Sequence, residues 1–270
     1  VVALKAEAKP IINSLNLARL GGENQFPVYV DLKGENWLII SGVGQTKVGE
    51  ATKYLSDVSD AQRWTVWVNI GIAGSKNGKY GELFIVDKVT QDRSKNCFYP
   101  GTVVKTKLKK SNLLTVDKPV LDYEEVNLVD MEAAAFVMVA SKMSCRELIL
   151  VMKVVSDGPN DSIKNLTAQR VSELISLNFK SIFEHIKKMT ALAELEKIRF
   201  YTPKIYFDIL RGWHFSVSQA YDLKKLILRW EVATPSIDVM DMIGKFSSSR
   251  EVIGYLKDNL NNYEIDWNKL

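Results

Sequence analysis

The sequence of 270 residues predicts an α/β protein with a mixed central sheet, followed by a helical C-terminal extension. Two observations favour this class. Runs of β-branched and apolar residues alternate with helical patterns over residues 1–189, as they do in layered α/β domains. From about residue 190 the strand-like runs stop, and helical patterns continue between breaks rich in Pro, Gly and Ser. We therefore predict two domains, 1–189 and 190–270.

The elements of the first domain follow from periodicity and from the positions of Gly and Pro. A helix begins near Glu7, because Pro10 is tolerated in a first turn, and the pair Gly21-Gly22 follows its end. The segment Lys33-Gly34-Glu35-Asn36 predicts a hairpin turn between two strand-like runs. Apolar residues recur at helical spacing on one face of residues 167–189, which is the clearest helix. The predicted helices are 7–20, 46–59, 133–143 and 167–189, and the predicted strands are 26–32, 37–40, 65–70, 82–89, 101–104, 113–116 and 148–155.

Composition and charge exclude several partner classes. The chain is 46% hydrophobic and 25% charged with a formal net charge of +4, which is typical of an ordinary globular protein. The basic cluster formed by Lys105, Lys107, Lys109 and Lys110 favours a solvated edge over a nucleic-acid or phosphate patch, because nucleic-acid readers usually carry far more positive charge. The longest uninterrupted apolar run, residues 133–140, is too short to span a bilayer. We expect neither a nucleic-acid nor a membrane partner.

Cysteine and histidine usage predicts neither a disulfide framework nor a metal site. Cys97 and Cys145 are too few and too unpatterned for either, and His185 and His214 have no partners at ligand spacing. The sequence shows no secretory signal, and a reducing, cytoplasmic compartment is therefore the expected location.

Carboxylates follow several predicted strands, where open α/β sheets bind small molecules. Glu7 lies just past a strand in a helical first turn, where the helix dipole favours an ionised carboxylate that could activate a water. Asp130 and Glu132 flank Met131 where a strand passes into a helix, so one can enter a site while the other serves structure. A carboxylate suits a sugar because it accepts from two neighbouring hydroxyls. Helix-start charge is the alternative interpretation for all three carboxylates.

Asp157 and two pairs of glycines complete the candidate chemistry. Asp157 ends an apolar strand, where partial desolvation would suit a proton donor; a turn-forming role is the alternative. Gly42 with Gly44, and Gly71 with Gly74, would let the backbone approach a ligand, although short glycine motifs are weak signals.

Taken together, these segments resemble the nucleoside phosphorylase superfamily, and most of all its methylthioadenosine/S-adenosylhomocysteine nucleosidase branch. The resemblance covers residues 1–189 and implies a three-layer α/β/α fold. The most specific match is Val129-Asp130-Met131-Glu132-Ala133-Ala134-Ala135. The other matches are Ala3-Leu4-Lys5-Ala6-Glu7, Ser41-Gly42-Val43-Gly44, Gly71-Ile72-Ala73-Gly74, Gly81-Glu82-Leu83-Phe84-Ile85-Val86 and Val155-Ser156-Asp157.

The resemblance implies a role for each matched residue. Glu7 would orient and deprotonate the attacking water, and Asp157 would protonate the purine N7 as the glycosidic bond breaks. Glu132 would hold the ribose hydroxyls, with Met131 packing on the sugar. The implied nucleophile or phosphate region comprises Gly44, Ile72, Ala73, Gly74 and Lys153. The implied base-binding residues are Asp117, Val120 and Ser156.

The chain also departs from the family pattern. Ile72 stands in place of a serine, Lys153 in place of an arginine, and Asp130 shortens a usual glutamate. Pro119 occupies the place of an aromatic residue that stacks on the base. The sequence therefore predicts cleavage of the N-glycosidic bond of a purine or 5′-modified nucleoside, with water favoured as nucleophile. Phosphorolysis, with Lys47 or Lys153 binding phosphate, and a nucleoside-binding module with weak turnover remain alternatives. We expect no cofactor or metal, and a homo-oligomer, a dimer being favoured.

Overall fold

A computed structural model describes residues 1–119, 127–158, 166–234 and 237–262. The chain forms two compact units, Val1–Arg199 and Phe200–Leu270. The predicted boundary after residue 189 therefore falls inside a helix of the first unit. None of the helices in the described part of the chain is long and apolar enough to cross a membrane.

In its described residues, the first unit has nine strands in two sheets. The strands are β1 (Ala18–Arg19), β2 (Val28–Val30), β3 (Trp37–Ile39), β4 (Trp67–Gly74), β5 (Leu83–Gln91), β6 (Cys97–Phe98), β7 (Lys109–Thr115), β8 (Leu128–Asp130) and β9 (Ile149–Asp157). Strands β1, β2 and β3 form a small antiparallel sheet. The other six strands form the central sheet in the order β6-β5-β7-β8-β4-β9.

The central sheet is mixed, as predicted, and it curls on itself. Strands β4 and β9 are parallel, as are β5 with β7 and β7 with β8. Strand β4 runs antiparallel to β8. Strand β5, next to the edge strand β6, also pairs antiparallel with β9 at the other end of the order, which closes the sheet on itself. Gly74, the last residue of β4, pairs with Val129 of β8 and with Asp157, the last residue of β9. This convergence is what positions the candidate site.

Helices cover both faces of the central sheet, which confirms the three-layer prediction. The helices are α1 (Lys5–Leu15), α2 (Gln45–Val58), α3 (Ala133–Ala140) and α4 (Ala168–Phe200), with a 3₁₀ turn at Arg146–Leu148. Apolar residues of α2 and α3 pack in one buried cluster with Val86 and Val151 of the sheet. Residues of α1 and α4 pack in a second cluster with Leu150 and Met152, whose side chains point to the opposite face of β9.

Three predicted helix ends in the first unit are wrong by three residues or more. Helix α1 ends at Leu15 rather than residue 20, because Asn16 adopts a left-handed backbone with φ of 51°. Helix α3 ends at Ala140 rather than residue 143. Helix α4 continues from residue 189 to Phe200, and its buried Met189 and Ala193 extend the apolar face.

The predicted strand at residues 101–104 is also wrong, because this segment is irregular. Gly101 donates its N–H to the Ile149 carbonyl, 2.8 Å away. A Cβ atom at residue 101 would lie 2.5 Å from the Glu147 carbonyl oxygen. The close approach of two backbones at Gly101 therefore fixes this segment against the 3₁₀ turn, despite the β-branched residues that follow it.

The second unit is helical, as predicted for the C-terminal extension. Its helices are α5 (Lys204–Gly212), α6 (Val217–Ala233), α7 (Val239–Ile243) and α8 (Ser249–Asn261). The side chains of Ser216, Asp238 and Ser248 cap the starts of α6, α7 and α8. Apolar residues from all four helices, including Ile209 and Leu256, form a buried cluster within this unit. This unit therefore has a core of its own.

Candidate active site

A cavity of about 260 Å³ opens at the carboxyl ends of β4, β8 and β9. Its walls combine carboxylates and apolar side chains contributed by separate parts of the first unit. The lining residues are Ala3, Leu4, Glu7, Val43, Ile72, Ala73, Gly74, Val116, Pro119, Val129, Asp130, Met131, Glu132, Ser156, Asp157 and Leu166. Such a concave site with a few convergent polar groups is the usual form of a small-molecule site.

Glu7 is held in the first turn of α1 by three backbone N–H groups. Ala3 and Leu4 each donate to Oε2 at 2.9 Å, and Ile72 donates to Oε1 at 3.0 Å. The residue is only 2% exposed. Burial raises the pKa of Glu7 above its usual value, although Lys153 and the three N–H groups oppose that shift. The carboxyl group is therefore fixed in space and more basic than an exposed glutamate, whereas the sequence indicated only the ionising effect of the helix start.

Glu132 lies at the start of α3 and is held by the backbone of another turn. Gly44 donates its N–H to Oε1 at 2.9 Å, and Met131 donates to Oε2 at 3.3 Å. Gly44 has φ of 105°, a conformation that favours glycine, so its N–H is presented without strain. Burial raises the pKa of Glu132 to about 7, and the nearby Asp130 adds to that rise. Glu132 therefore changes charge near neutral pH.

Asp130 borders the same cavity, but its oxygens bind the surrounding structure. Thr115 donates its hydroxyl to Oδ1 at 2.7 Å, and Ala133 donates its N–H to Oδ2 at 2.9 Å. Lys153 Nζ lies 2.8 Å from the same Oδ2, and both side chains are almost fully buried. The two carboxylates around Met131 thus diverge at the strand-to-helix switch, with Glu132 facing the cavity and Asp130 serving the fold.

Asp157 and Ser156 form the end of β9 on the far side of the cavity. The Ser156 hydroxyl donates to Asp157 Oδ1, and Ser75 donates its N–H to the Asp157 carbonyl at 2.9 Å. Asp157 is only 4% exposed. A Cβ atom at Gly158 would lie 2.4 Å from the Ser75 carbonyl, so glycine is needed where the chain leaves the strand. These contacts fix the orientation of Asp157 at the cavity wall.

The structure brings together most of the predicted site residues. Glu7, Ile72, Ala73, Gly74, Met131, Glu132, Ser156 and Asp157 all line the cavity. Gly44 and Lys153 do not line it, and they act instead on carboxylates that do. Asp117 does not line the cavity either, because Gln45 holds its carboxylate with Nε2 at 2.7 Å. Val120 lies outside the described residues.

Several apolar lining residues were not among the predicted site residues. Leu4 and Val43 lie within the matched segments 3–7 and 41–44, so their positions could have identified them. Val116 and Leu166 lie in irregular segments and carry no distinguishing pattern. Within the described ranges, no group of three or more His, Cys, Asp or Glu side chains is arranged to hold a metal ion.

Comparisons with known proteins place the fold. No protein-family model matches the chain. No curated protein sequence matches it either. Solved structures do match, among them the 5′-methylthioadenosine/S-adenosylhomocysteine nucleosidase of Helicobacter pylori, bound to butyl-thio-DADMe-Immucillin-A. That match has a TM-score of 0.56 and 16% identity, and covers 70% of this chain and 95% of the other.

Two further structures show the same similarity. The corresponding nucleosidase of Campylobacter jejuni matches with a TM-score of 0.54 and 15% identity, over 68% of this chain and 95% of its own. Futalosine hydrolase of Helicobacter pylori matches with a TM-score of 0.52 and 16% identity, over 70% and 95%. At this level of identity the similarity shows the fold, and the predicted nucleosidase-like fold is confirmed.

Proposed function

We propose that this protein cleaves the N-glycosidic bond of a purine nucleoside or a 5′-modified relative, with water as the nucleophile. The observation that carries the proposal is the meeting of Glu7, Glu132 and Asp157 around one cavity, from α1, the start of α3 and the end of β9. The fold shared with known nucleosidases supports the same reaction class.

Breaking an N-glycosidic bond needs different help at its two ends. The sugar develops oxocarbenium character while the base leaves, so the leaving group needs a proton and the sugar carbon needs a nucleophile. Two carboxyl groups do comparable work in O-glycoside hydrolysis. In our proposal Asp157 gives its proton to the purine N7, and Glu7 takes a proton from the water that attacks the sugar carbon. The products are a free base and a free sugar.

Glu132 and Met131 are proposed to hold the sugar. One Glu132 oxygen accepts from Gly44, and the carboxylate retains acceptor capacity for sugar hydroxyls. Met131 is half-buried and lines the cavity beside it, where an apolar side chain can pack on a sugar face.

The charges around the cavity favour water over phosphate. Among the described residues that line it there is no Lys or Arg, while four are carboxylates. Lys153 is paired with Asp130, and Lys47 is exposed outside the lining. The N–H of Ile72 is already bound to Glu7. A phosphate dianion would therefore meet uncompensated negative charge at this site.

The test is to incubate the protein with purine nucleosides and 5′-modified nucleosides, with and without phosphate. Free base and free sugar at equal rates in both conditions are expected. A requirement for phosphate, with sugar 1-phosphate as product, would establish phosphorolysis instead. The Glu7→Gln variant serves as the control. If it is fully active, the observed base release comes from a contaminant or from a mechanism that does not use Glu7.

One observation favours a second candidate, a nucleoside-binding module with little turnover. Ile72 presents an apolar side chain to the cavity beside Glu7, where a polar group could otherwise position the water. Stabilisation of the protein by a nucleoside in thermal unfolding, without base release on long incubation, would support this candidate. The predicted dimer is a separate matter that light scattering would test.

A further inference from the structure

Lys153 is the cation on which the charges of the candidate site depend, and it does not reach the cavity. It is 1% exposed, and it extends from β9 next to Gly71 of β4. A Cβ atom at Gly71 would lie 3.3 Å from Lys153 Nζ and 2.9 Å from Glu7 Oε1. The absence of a side chain at Gly71 therefore leaves the space in which the ammonium and the Glu7 carboxylate approach each other.

Asp130 ties this ammonium to the part of the chain that carries Glu132. Its carboxylate receives Lys153, the Thr115 hydroxyl and the Ala133 N–H. The same Thr115 hydroxyl accepts from the Ala134 N–H at 3.1 Å. Asp130 precedes Glu132, and Ala133 and Ala134 follow it, so these bonds fix the backbone on both sides of the sugar-binding candidate.

The electrostatic consequences extend to both cavity carboxylates. Burial lowers the pKa of Lys153, but Asp130 and Glu132 outweigh that effect and the pKa lies above its usual value. Burial raises the pKa of Glu7 and of Glu132, and the positive charge of Lys153 opposes that rise.

We propose that Lys153 and Asp130 form a positioning pair that keeps Glu7 ionised and Glu132 oriented, and that Lys153 is not an anion-binding residue for the nucleophile. This inference rests on the proposed function where it is tested by the rate of base release. In this proposal Lys153 does not contact the substrate. Its ammonium is the counter-charge for Glu7, and Asp130 partly neutralises that ammonium and so weakens its effect on Glu7.

The two members of the pair should move the charge of Glu7 in opposite directions. In Lys153→Met the counter-charge is lost while Asp130 stays, so Glu7 binds its proton more tightly. In Asp130→Asn the ammonium is released from its nearest partner and acts more strongly on Glu7, which then binds its proton less tightly. A nearby opposite charge shifts a carboxyl titration by about 1 to 3 pH units. A merely structural pair would not produce shifts of opposite sign.

The first measurement is the pH profile of base release. The acid limb, which reports ionisation of Glu7 together with that of Glu132, is expected to move about 1 unit or more to higher pH in Lys153→Met and to lower pH in Asp130→Asn. Lys153→Arg should keep the limb near that of the original protein. Lys110→Met is the matched control, because Lys110 is an exposed lysine on β7 outside the cavity. Shifts in the same direction, or none, would overturn the proposal.

A second measurement separates this inference from the proposed function. Carboxyl ¹³C titration of glutamate-labelled protein, assigned with Glu7→Gln, follows Glu7 whether or not any nucleoside is cleaved. If the protein cleaves no nucleoside but the Glu7 midpoint moves in opposite directions in Lys153→Met and Asp130→Asn, the proposed function is wrong and the positioning pair is supported. Should Lys153→Met not fold, Asp130→Asn still decides: a midpoint unchanged or moved to higher pH is incompatible with the pair. Loss of phosphate-dependent turnover alone in Lys153→Met would assign Lys153 to an anion instead.

Discussion

Replacing Glu132 with Gln tests the sugar-binding role most directly. In the original protein Gly44 donates to Oε1 at 2.9 Å and Met131 to Oε2 at 3.3 Å, and the remaining lone pairs of the carboxylate are available to accept from hydroxyls. A glutamine of the same shape can keep its carbonyl oxygen on the Gly44 N–H. Its NH₂ group would then face the sugar and the Met131 N–H, so a donor would replace a charged acceptor for both. We expect weaker binding with little change in the shape of the cavity.

The magnitude follows from the chemistry of the bond that is lost. A hydrogen bond to a charged group contributes about 1.5–3 kcal/mol, which corresponds to a loss of about tenfold to 150-fold in affinity. The effect should also depend on pH. Since the pKa of Glu132 is raised to about 7, the carboxylate is protonated below that pH and ionised above it. Affinity for a ribonucleoside should therefore fall as the pH falls through about 7, and this dependence should vanish in Glu132→Gln.

The assay is titration calorimetry in an Asp157→Asn background, so that no ligand is consumed. A purine ribonucleoside and its 2′,3′-dideoxy analogue are compared at pH 8.5 and pH 5.5. The Glu132→Gln change should affect only the ribonucleoside, because the analogue lacks the hydroxyls. Glu50→Gln, an exposed glutamate on α2, is the control variant. Equal affinity of both proteins for the ribonucleoside at pH 8.5 would leave Glu132 as a helix-start charge and refute the assignment.

Three further predictions concern catalysis, stability and the second unit. Asp157→Asn should reduce base release by about a hundredfold to ten-thousandfold while nucleoside affinity in thermal shift stays within about tenfold; full activity would remove Asp157 from the mechanism. Because the raised pKa of Glu132 makes the folded protein bind a proton more tightly, the stability that Glu132 contributes at low pH is lost as pH rises through about 7. In Glu132→Gln the free energy of unfolding, measured with denaturant, should not show that loss of up to about 3 kcal/mol. Equal slopes of unfolding free energy against pH in the two proteins would contradict this prediction. Truncation after Arg199 should leave a folded fragment by circular dichroism, whereas truncation after Met189 removes buried Ala193 and should lower its melting temperature; the reverse order would place the boundary where the sequence first indicated.

The sequence was informative where a site residue and its support lie close together along the chain. Glu7 accepts two of its three N–H hydrogen bonds from Ala3 and Leu4, and Asp157 accepts a hydrogen bond from the Ser156 hydroxyl. Such local arrangements follow from the residue order at a strand end. The divergence of Asp130 and Glu132 was also predictable in kind, because the backbone changes from strand to helix between them.

What could not be predicted depends on contacts across the sheet. Lys153 meets Asp130 only because β4 and β8 join at Gly74 and Val129 while β4 and β9 run in parallel register. No pattern in residues 101–104 shows that Gly101 packs against the Glu147 carbonyl. The length of α4 was underestimated because exposed lysines after Ile186 interrupt its apolar pattern, although Met189 and Ala193 continue it.

The balance of buried charge links these observations to the choice of nucleophile. Asp130 and Lys153 neutralise each other, so Glu7 and Glu132 leave a net negative cavity when both are ionised. Negative charge fixed in a buried site stabilises a sugar that becomes positively charged as its base leaves. The same charge opposes entry of a phosphate dianion and leaves a neutral water unaffected. A site built in this way should therefore lose activity as pH falls through about 7, where Glu132 takes up a proton and both the field on the sugar and the acceptor for its hydroxyls weaken together.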